Sequence, residues 1–352
     1  MTSRERILSA VHGRPTDYVP VAPYMGNFGA AQAEIPIGIY NHDGKRMAEA
    51  QIRAWELFRQ DAVVAQSDNY YIAEGFGCVI EQPQNSTPHL VKPAVSDLDQ
   101  IDRLRVPDPY SDGRMPVYLE AVGTLRAHFG NEVAVRGPGT GPFSLASYIA
   151  GGTESFLTEL ALVEAEENPQ REKKIMRLMG LASDALIAFL RALLEAGSDF
   201  LQAGDSLASL SMISPMMYEK YVWPFEKKVF ESINPIAHEK GAVTLLHICG
   251  DTTRILPLMA ATGADILEVD TNVDLSMARR ILGPEVCLMG NIDPVGELLM
   301  GDPDSVSAAC VTAISAAGSD RGRFILGSGC EVPPAAPAAN LLAMIRTART
   351  AT

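Results

Sequence analysis

One rhythm restricts how this chain can fold more than any other feature. Eight short apolar runs, each ending in a polar or glycine-rich turn, alternate with stretches of helical spacing. The runs cover residues 19–25, 62–67, 133–137, 199–205, 242–250, 264–270, 286–293 and 323–329. Near-continuous apolar strands alternating with helices pair in parallel, because each crossover needs a helix's length and the helices cover the sheet. Eight such units predict a (β/α)8 TIM barrel, an α/β fold. At 352 residues the default would be two domains of about 150 residues each. A barrel with N-terminal excursions instead takes residues 1–352 as one domain. The rival is an open doubly wound sheet, and its marks are missing. No Gly-x-Gly-x-x-Gly follows the first run, and the Gly-Pro-Gly-Thr-Gly-Pro stretch at 137–142 has no P-loop lysine.

Between the runs, residues 171–196 place Ile175, Leu178, Met179 and Ala182, then Leu186, Phe189, Leu190 and Leu193, on one helical face. A second helix is expected over 252–262, irregular near Pro257. A third, over 302–317, opens on Asp302 as N-cap with Pro303 in the first turn. The long interval 68–132 carries Pro83, Pro88, Pro93, Pro107, Pro109 and Pro116 and reads as a surface layer or lid.

Composition excludes some functions. With 47% hydrophobic residues the chain can build a large core, while 29 bases against 43 acids leave a net charge of −14. Such a surface repels nucleic acid and anionic membranes. The charged start Met1-Thr2-Ser3-Arg4-Glu5-Arg6 has no apolar run behind it, so no signal peptide is expected. Five scattered cysteines fit a reducing compartment, and a cytoplasmic location is expected.

Chemistry in a barrel sits at the C-terminal ends of the strands. The fifth run ends in His247-Ile248-Cys249-Gly250-Asp251 and the eighth in Gly327-Ser328-Gly329-Cys330-Glu331. His247 and Cys249 are two apart, so strand geometry points both to one face. Cys330 can complete a His/Cys/Cys set from another strand's end, which is the zinc donor type with an open fourth position. The competing reading makes each cysteine a small buried hydrophobe, and that reading is kept for Cys78, Cys287 and Cys310. Two thiolates and a neutral imidazole would leave Zn²⁺ formally neutral, poor at activating water and better suited to holding a further thiol as thiolate. Asp270, at the end of the sixth run, is a candidate fourth ligand, and Glu268, two residues earlier, competes with it. Either carboxylate could instead bind backbone at the rim.

The segments Leu246-His247-Ile248-Cys249-Gly250-Asp251, Gly290-Asn291-Ile292-Asp293-Pro294 and Gly327-Ser328-Gly329-Cys330-Glu331-Val332-Pro333 resemble the late-strand signatures of the uroporphyrinogen decarboxylase superfamily. Gly204-Asp205-Ser206 and the following Ser214-Pro215 to Trp223-Pro224 stretch are similar too. The resemblance implies a (β/α)8 barrel. Decarboxylases of that superfamily carry an arginine motif near the N-terminus, whereas this chain reads Tyr24-Met25-Gly26-Asn27-Phe28-Gly29-Ala30-Ala31. Its His-x-Cys…Cys pattern resembles the corrinoid-dependent branch that methylates coenzyme M.

That resemblance implies a zinc-dependent methyltransferase in which His247, Cys249 and Cys330 are catalytic and bind Zn²⁺, with Asp270 as a further ligand. It implies a small thiol such as coenzyme M as one substrate and methylcobalamin or another methyl-corrinoid as the other. No Asp-x-His-x-x-Gly corrinoid motif occurs, so the corrinoid would arrive on a partner protein. Asp205 and Asn291 would position substrate, and Arg136 would meet an anionic tail such as a sulfonate or else form a surface ion pair. The alternatives are decarboxylation of a porphyrinogen without metal, with Asp205 or Asp270 contacting pyrrole N–H groups, and a non-enzymatic corrinoid-binding scaffold.

Overall fold

The computed structural model describes residues 1–166, 168–318 and 322–351. In chain order the strands are β1 (Ala62–Val64), β2 (Val79–Glu81), β3 (His89–Lys92), β4 (Ala134–Gly137), β5 (Phe200–Gly204), β6 (Val243–Ile248), β7 (Ile266–Val269), β8 (Cys287–Ile292) and β9 (Phe324–Ser328). β2 and β3 form a small antiparallel pair. The other seven make one parallel sheet in the order β1-β4-β5-β6-β7-β8-β9. Strands that follow one another around the sheet are joined by helical crossovers, the arrangement parallel pairing requires.

Seven of the eight expected runs contain strands of this sheet. The first, 19–25, does not: it makes one parallel bridge, Val21 to Leu326. Pro20 and Pro23 have no backbone N–H to donate, so a longer ladder cannot form there. The segment still touches both edges of the sheet. Ala22 N–H donates to Leu326 O at 2.8 Å, Leu326 N–H to Pro20 O at 2.8 Å, and Asp61 N–H to Val21 O at 2.8 Å.

Two apolar layers result. The inner one gathers Ala22, Ala62, Ala134, Phe200, Val243, Leu245, Ile266, Cys287, Met289 and Ile325, with Ile7, Ala10 and Val11 of helix Ser3–Val11 closing it from below. The outer layer packs helices on the strands' other faces. Its longest member, Pro169–Ala196, starts at the Asn168 cap, ends at Gly197 (φ +107°), and buries the apolar face foreseen for 171–196. Helix Pro303–Ala317 is capped by Asp302 as expected. Only Leu256–Ala260 of the expected 252–262 segment is α-helical, with Pro257 in its first turn. The 68–132 excursion holds helix Tyr71–Gly75, the β2–β3 pair, a 3-10 segment Leu98–Arg103 and helix Met115–Phe129. Among the described residues, no helix is long and apolar enough to cross a membrane.

Candidate metal centre

His247 is the penultimate residue of β6, buried at 4% exposure. Cys249 follows one residue past that strand, and Cys330 two residues past β9. Their donor atoms converge. His247 Nε2 is 3.3 Å from Cys249 Sγ, and Cys249 Sγ is 3.7 Å from Cys330 Sγ. All three ligand atoms lie within 4.8 Å of one another, and both cysteines remain half-buried.

Two glycines allow this approach. Gly250 has φ +75°, and a Cβ on it would come 2.9 Å from Ser209 Oγ. A Cβ on Gly329 would meet Thr271 N at 2.6 Å and Asp270 Oδ1 at 3.0 Å. Both loops therefore turn tightly beside their cysteines because no side chain intervenes.

The electrostatics separate Cys249 from the other thiols. Burial, the main cause in each case, pushes Cys78 up to about 11 and Cys287 and Cys310 up to about 12. Cys249 moves the other way: the neighbouring Cys330 favours its thiolate, and Ser206 adds to this against burial. Cys330 is raised, since a second thiolate beside the first is disfavoured. Burial opposes a charged His247, but Cys330 and Glu268 outweigh it and raise the imidazole above its ordinary value.

The two candidate carboxylates have different surroundings. Asp270 accepts from Gly250 N–H and Thr271 N–H, both at 2.6 Å, which ties the Cys249 loop to the end of β7. It is not among the three close donors. Glu268 lies within β7, where its Oε2 is 3.3 Å from His247 Nδ1. Arg136, on β4, grips both Glu268 oxygens at 2.7 and 2.5 Å.

The remaining expected residues lie near the same end of the sheet. Asp205 is fully buried and accepts from Phe143 and Ser144 N–H at 2.9 and 2.7 Å, at the start of helix Pro142–Ile149. Burial pushes its carboxyl up to about 6 against those two bonds. Asn291 donates to Asp270 O and Val273 O at 3.1 and 2.6 Å and so braces the loop after β7.

Two neighbours escaped the sequence reading. Gln202 accepts from Arg136 Nε at 2.8 Å. Its signal was a polar residue inside the apolar run Phe200-Leu201-Gln202-Ala203-Gly204. Glu331 follows Cys330, accepts from Asn27 N–H at 2.6 Å, and is pushed up to about 7 by burial.

One imidazole nitrogen and two sulfurs, half open to solvent, fit a zinc ion and leave a fourth position for a substrate. Harder, oxygen-seeking cations such as Mg²⁺ would find no carboxylate in the close group.

Comparison with known proteins adds independent findings. The family model described as uroporphyrinogen decarboxylase (URO-D) matches residues 2–351. The methylcobamide:CoM methyltransferase MtbA of Methanosarcina mazei is 30% identical over 354 residues, covering 99% of this chain and 98% of that protein. A uroporphyrinogen decarboxylase of Parasynechococcus marenigrum is 29% identical over 303 residues, covering 86% and 81%. A solved methyltransferase structure from Methanosarcina mazei superimposes with a TM-score of 0.87 at 25% identity, covering 99% of this chain and 98% of that one.

Proposed function

The chain belongs to the uroporphyrinogen decarboxylase (URO-D) family, and from that premise we propose that it is a zinc-dependent methyltransferase moving a methyl group between a methylated corrinoid and a small thiol. The convergence of His247 Nε2, Cys249 Sγ and Cys330 Sγ carries this reading. Similarity to MtbA over nearly the whole length supports corrinoid-to-thiol transfer, with coenzyme M as one candidate thiol. The corrinoid would be presented by a partner protein at the end of the sheet where the cysteines lie. The reading takes the segment around Val21 as the eighth stave of a single (β/α)8 barrel, and places the protein in the reducing cytoplasm.

His247, Cys249 and Cys330 would hold Zn²⁺, which when bound lowers a thiol's pKa enough to keep it as the nucleophilic thiolate at neutral pH. The residues around it supply the rest. Asp270 and Asn291 fix the loops after β6 and β7, so the sulfurs keep their spacing as substrate arrives. The buried floor of Arg136, Gln202 and Glu268 keeps bulk water from the imidazole side. Rate would come chiefly from holding thiolate and methyl donor in line.

Decarboxylation of a polyanionic porphyrinogen is the competing activity. Its substrate would need free cations. Helix Gly26–Gln32 carries none, and Arg136 is already paired with Glu268.

Elemental analysis and X-ray absorption on purified protein test the reading. One zinc per chain is expected, with two sulfur neighbours, rising to three on adding a thiol, together with methyl transfer from methylcobalamin. Absence of stoichiometric zinc, or loss of carboxylates from uroporphyrinogen, would overturn it.

A further inference from the structure

We propose that Glu268 is a positioning residue, locked by Arg136, that sets the tautomer and aim of His247. This inference rests on the zinc site proposed above. The parallel register of β6 and β7 places His247 beside Glu268. Glu268 Oε2 and its backbone carbonyl oxygen are each 3.3 Å from His247 Nδ1. Both are acceptors, so the ring proton belongs on Nδ1. That leaves the Nε2 lone pair facing Cys249 Sγ at 3.3 Å. Histidines that bind metals through one nitrogen generally donate the other to a carboxylate or carbonyl, which fixes the ring and raises its basicity.

Glu268 could not do this if it were free to swing. Arg136 holds both its oxygens at 2.7 and 2.5 Å, and Gln202 anchors the guanidinium through Nε at 2.8 Å. The guanidinium also lies over the Tyr24 ring, 4.5 Å from its centroid. All five residues are buried. Burial alone would push the Glu268 carboxyl up, but the charges of Arg136 and His247 hold it below its ordinary value. Were Glu268 to leave and ligate the metal, Arg136 would remain as an unpaired buried cation, which is costly. Arg136 is thereby assigned to Glu268 rather than to a substrate's anionic tail.

The test uses the full-length protein and Zn²⁺ in competition with a chromophoric chelator. E268Q strands Arg136 as a buried cation without its carboxylate, so R136Q/E268Q, which removes both charges, is measured beside it. Zinc affinity is expected to fall about 10- to 100-fold, with two sulfurs still bound by X-ray absorption. An unchanged affinity in the folded double variant would overturn the role. So would loss of an oxygen neighbour from zinc in E268Q, which would make Glu268 a ligand. Nitrogen-15 NMR of zinc-loaded wild-type protein gives a readout free of mutation: a protonated Nδ1 on His247 is expected, and a bare Nδ1 overturns the inference. Failure of wild-type protein to bind zinc at all would instead sink the metal site itself.

Discussion

The two ends of the parallel sheet carry the same device for opposite purposes. At the N-terminal end, Arg6 reaches Asp61 at 2.6 Å and lies over the Tyr18 ring, 3.6 Å from its centroid. At the C-terminal end, Arg136 reaches Glu268 at 2.5 Å and lies over Tyr24. Each is a buried guanidinium–carboxylate pair stacked on an aromatic ring, and the difference is the third partner. Asp61 accepts a backbone N–H from Val21 at 2.9 Å, a fixed donor that closes the arrangement. Glu268 faces an imidazole whose other nitrogen looks at two thiols. One pair ends in the main chain and can only hold the fold together. The other ends in a group that can bind something. Barrel folds in general separate stability from chemistry in this way.

The sharpest way to break the comparison is at the sulfurs. Cys249→Ser and Cys330→Ser should each lower zinc affinity by more than about 100-fold, beyond what losing a supporting residue costs, and abolish methyl transfer. Thermal stability should change little, because both side chains are half-buried. Metal content by elemental analysis checks this, and full zinc occupancy in either variant would remove the functional end from the contrast.

The opposite result is expected at the other end. Asp61→Ala leaves Arg6 with the Met1 carbonyl and one carboxylate, Asp17, which is 45% exposed, and should cost about 3–5 kcal/mol of stability, the usual penalty for breaking a buried pair. Urea unfolding measures it. Zinc stoichiometry of the folded fraction should match wild type, and a parallel loss of zinc would show the two ends to be coupled.

Smaller effects sharpen the picture of the C-terminal loops. Gly250→Ala must take a left-handed backbone and press on Ser209, for roughly 1–2 kcal/mol. Weaker zinc binding should accompany it, since Cys249 is adjacent. Wild-type affinity would mean that the loop is looser than it looks.

The smallest effect is a pH dependence. Burial raises Asp205 from 3.8 to about 6 in the folded chain. The native state therefore holds this proton more tightly than the unfolded chain does. The resulting stabilisation is complete below pH about 4 and is lost as pH rises through about 6. The stability difference between wild type and Asp205→Asn should shrink across that window. A constant difference would show that the carboxyl is not perturbed.

Much of this was legible beforehand because it is local. Alternation of apolar runs and helical spacing, the Asp302–Pro303 helix start and the two-residue step from His247 to Cys249 are properties of short stretches. The first run makes one bridge instead of a ladder for a reason also present in the sequence: Pro20 and Pro23 leave apolar character without ladder donors. The roles of the charged residues were harder to read. Asp270 and Glu268 have the same chemistry and stand two residues apart at the end of one apolar run, and nothing within that run says which meets a backbone N–H and which meets Arg136.

The sequence by itself determined the donor types, the seven runs that form the parallel sheet and the family. The tertiary structure alone decided that Cys330 meets Cys249, that Arg136 has a partner, and that His247 is flanked by a carboxylate. Periodicity dictates the face on which a side chain stands, but strand register and closure dictate its neighbours, and these depend on contacts between residues far apart in the chain.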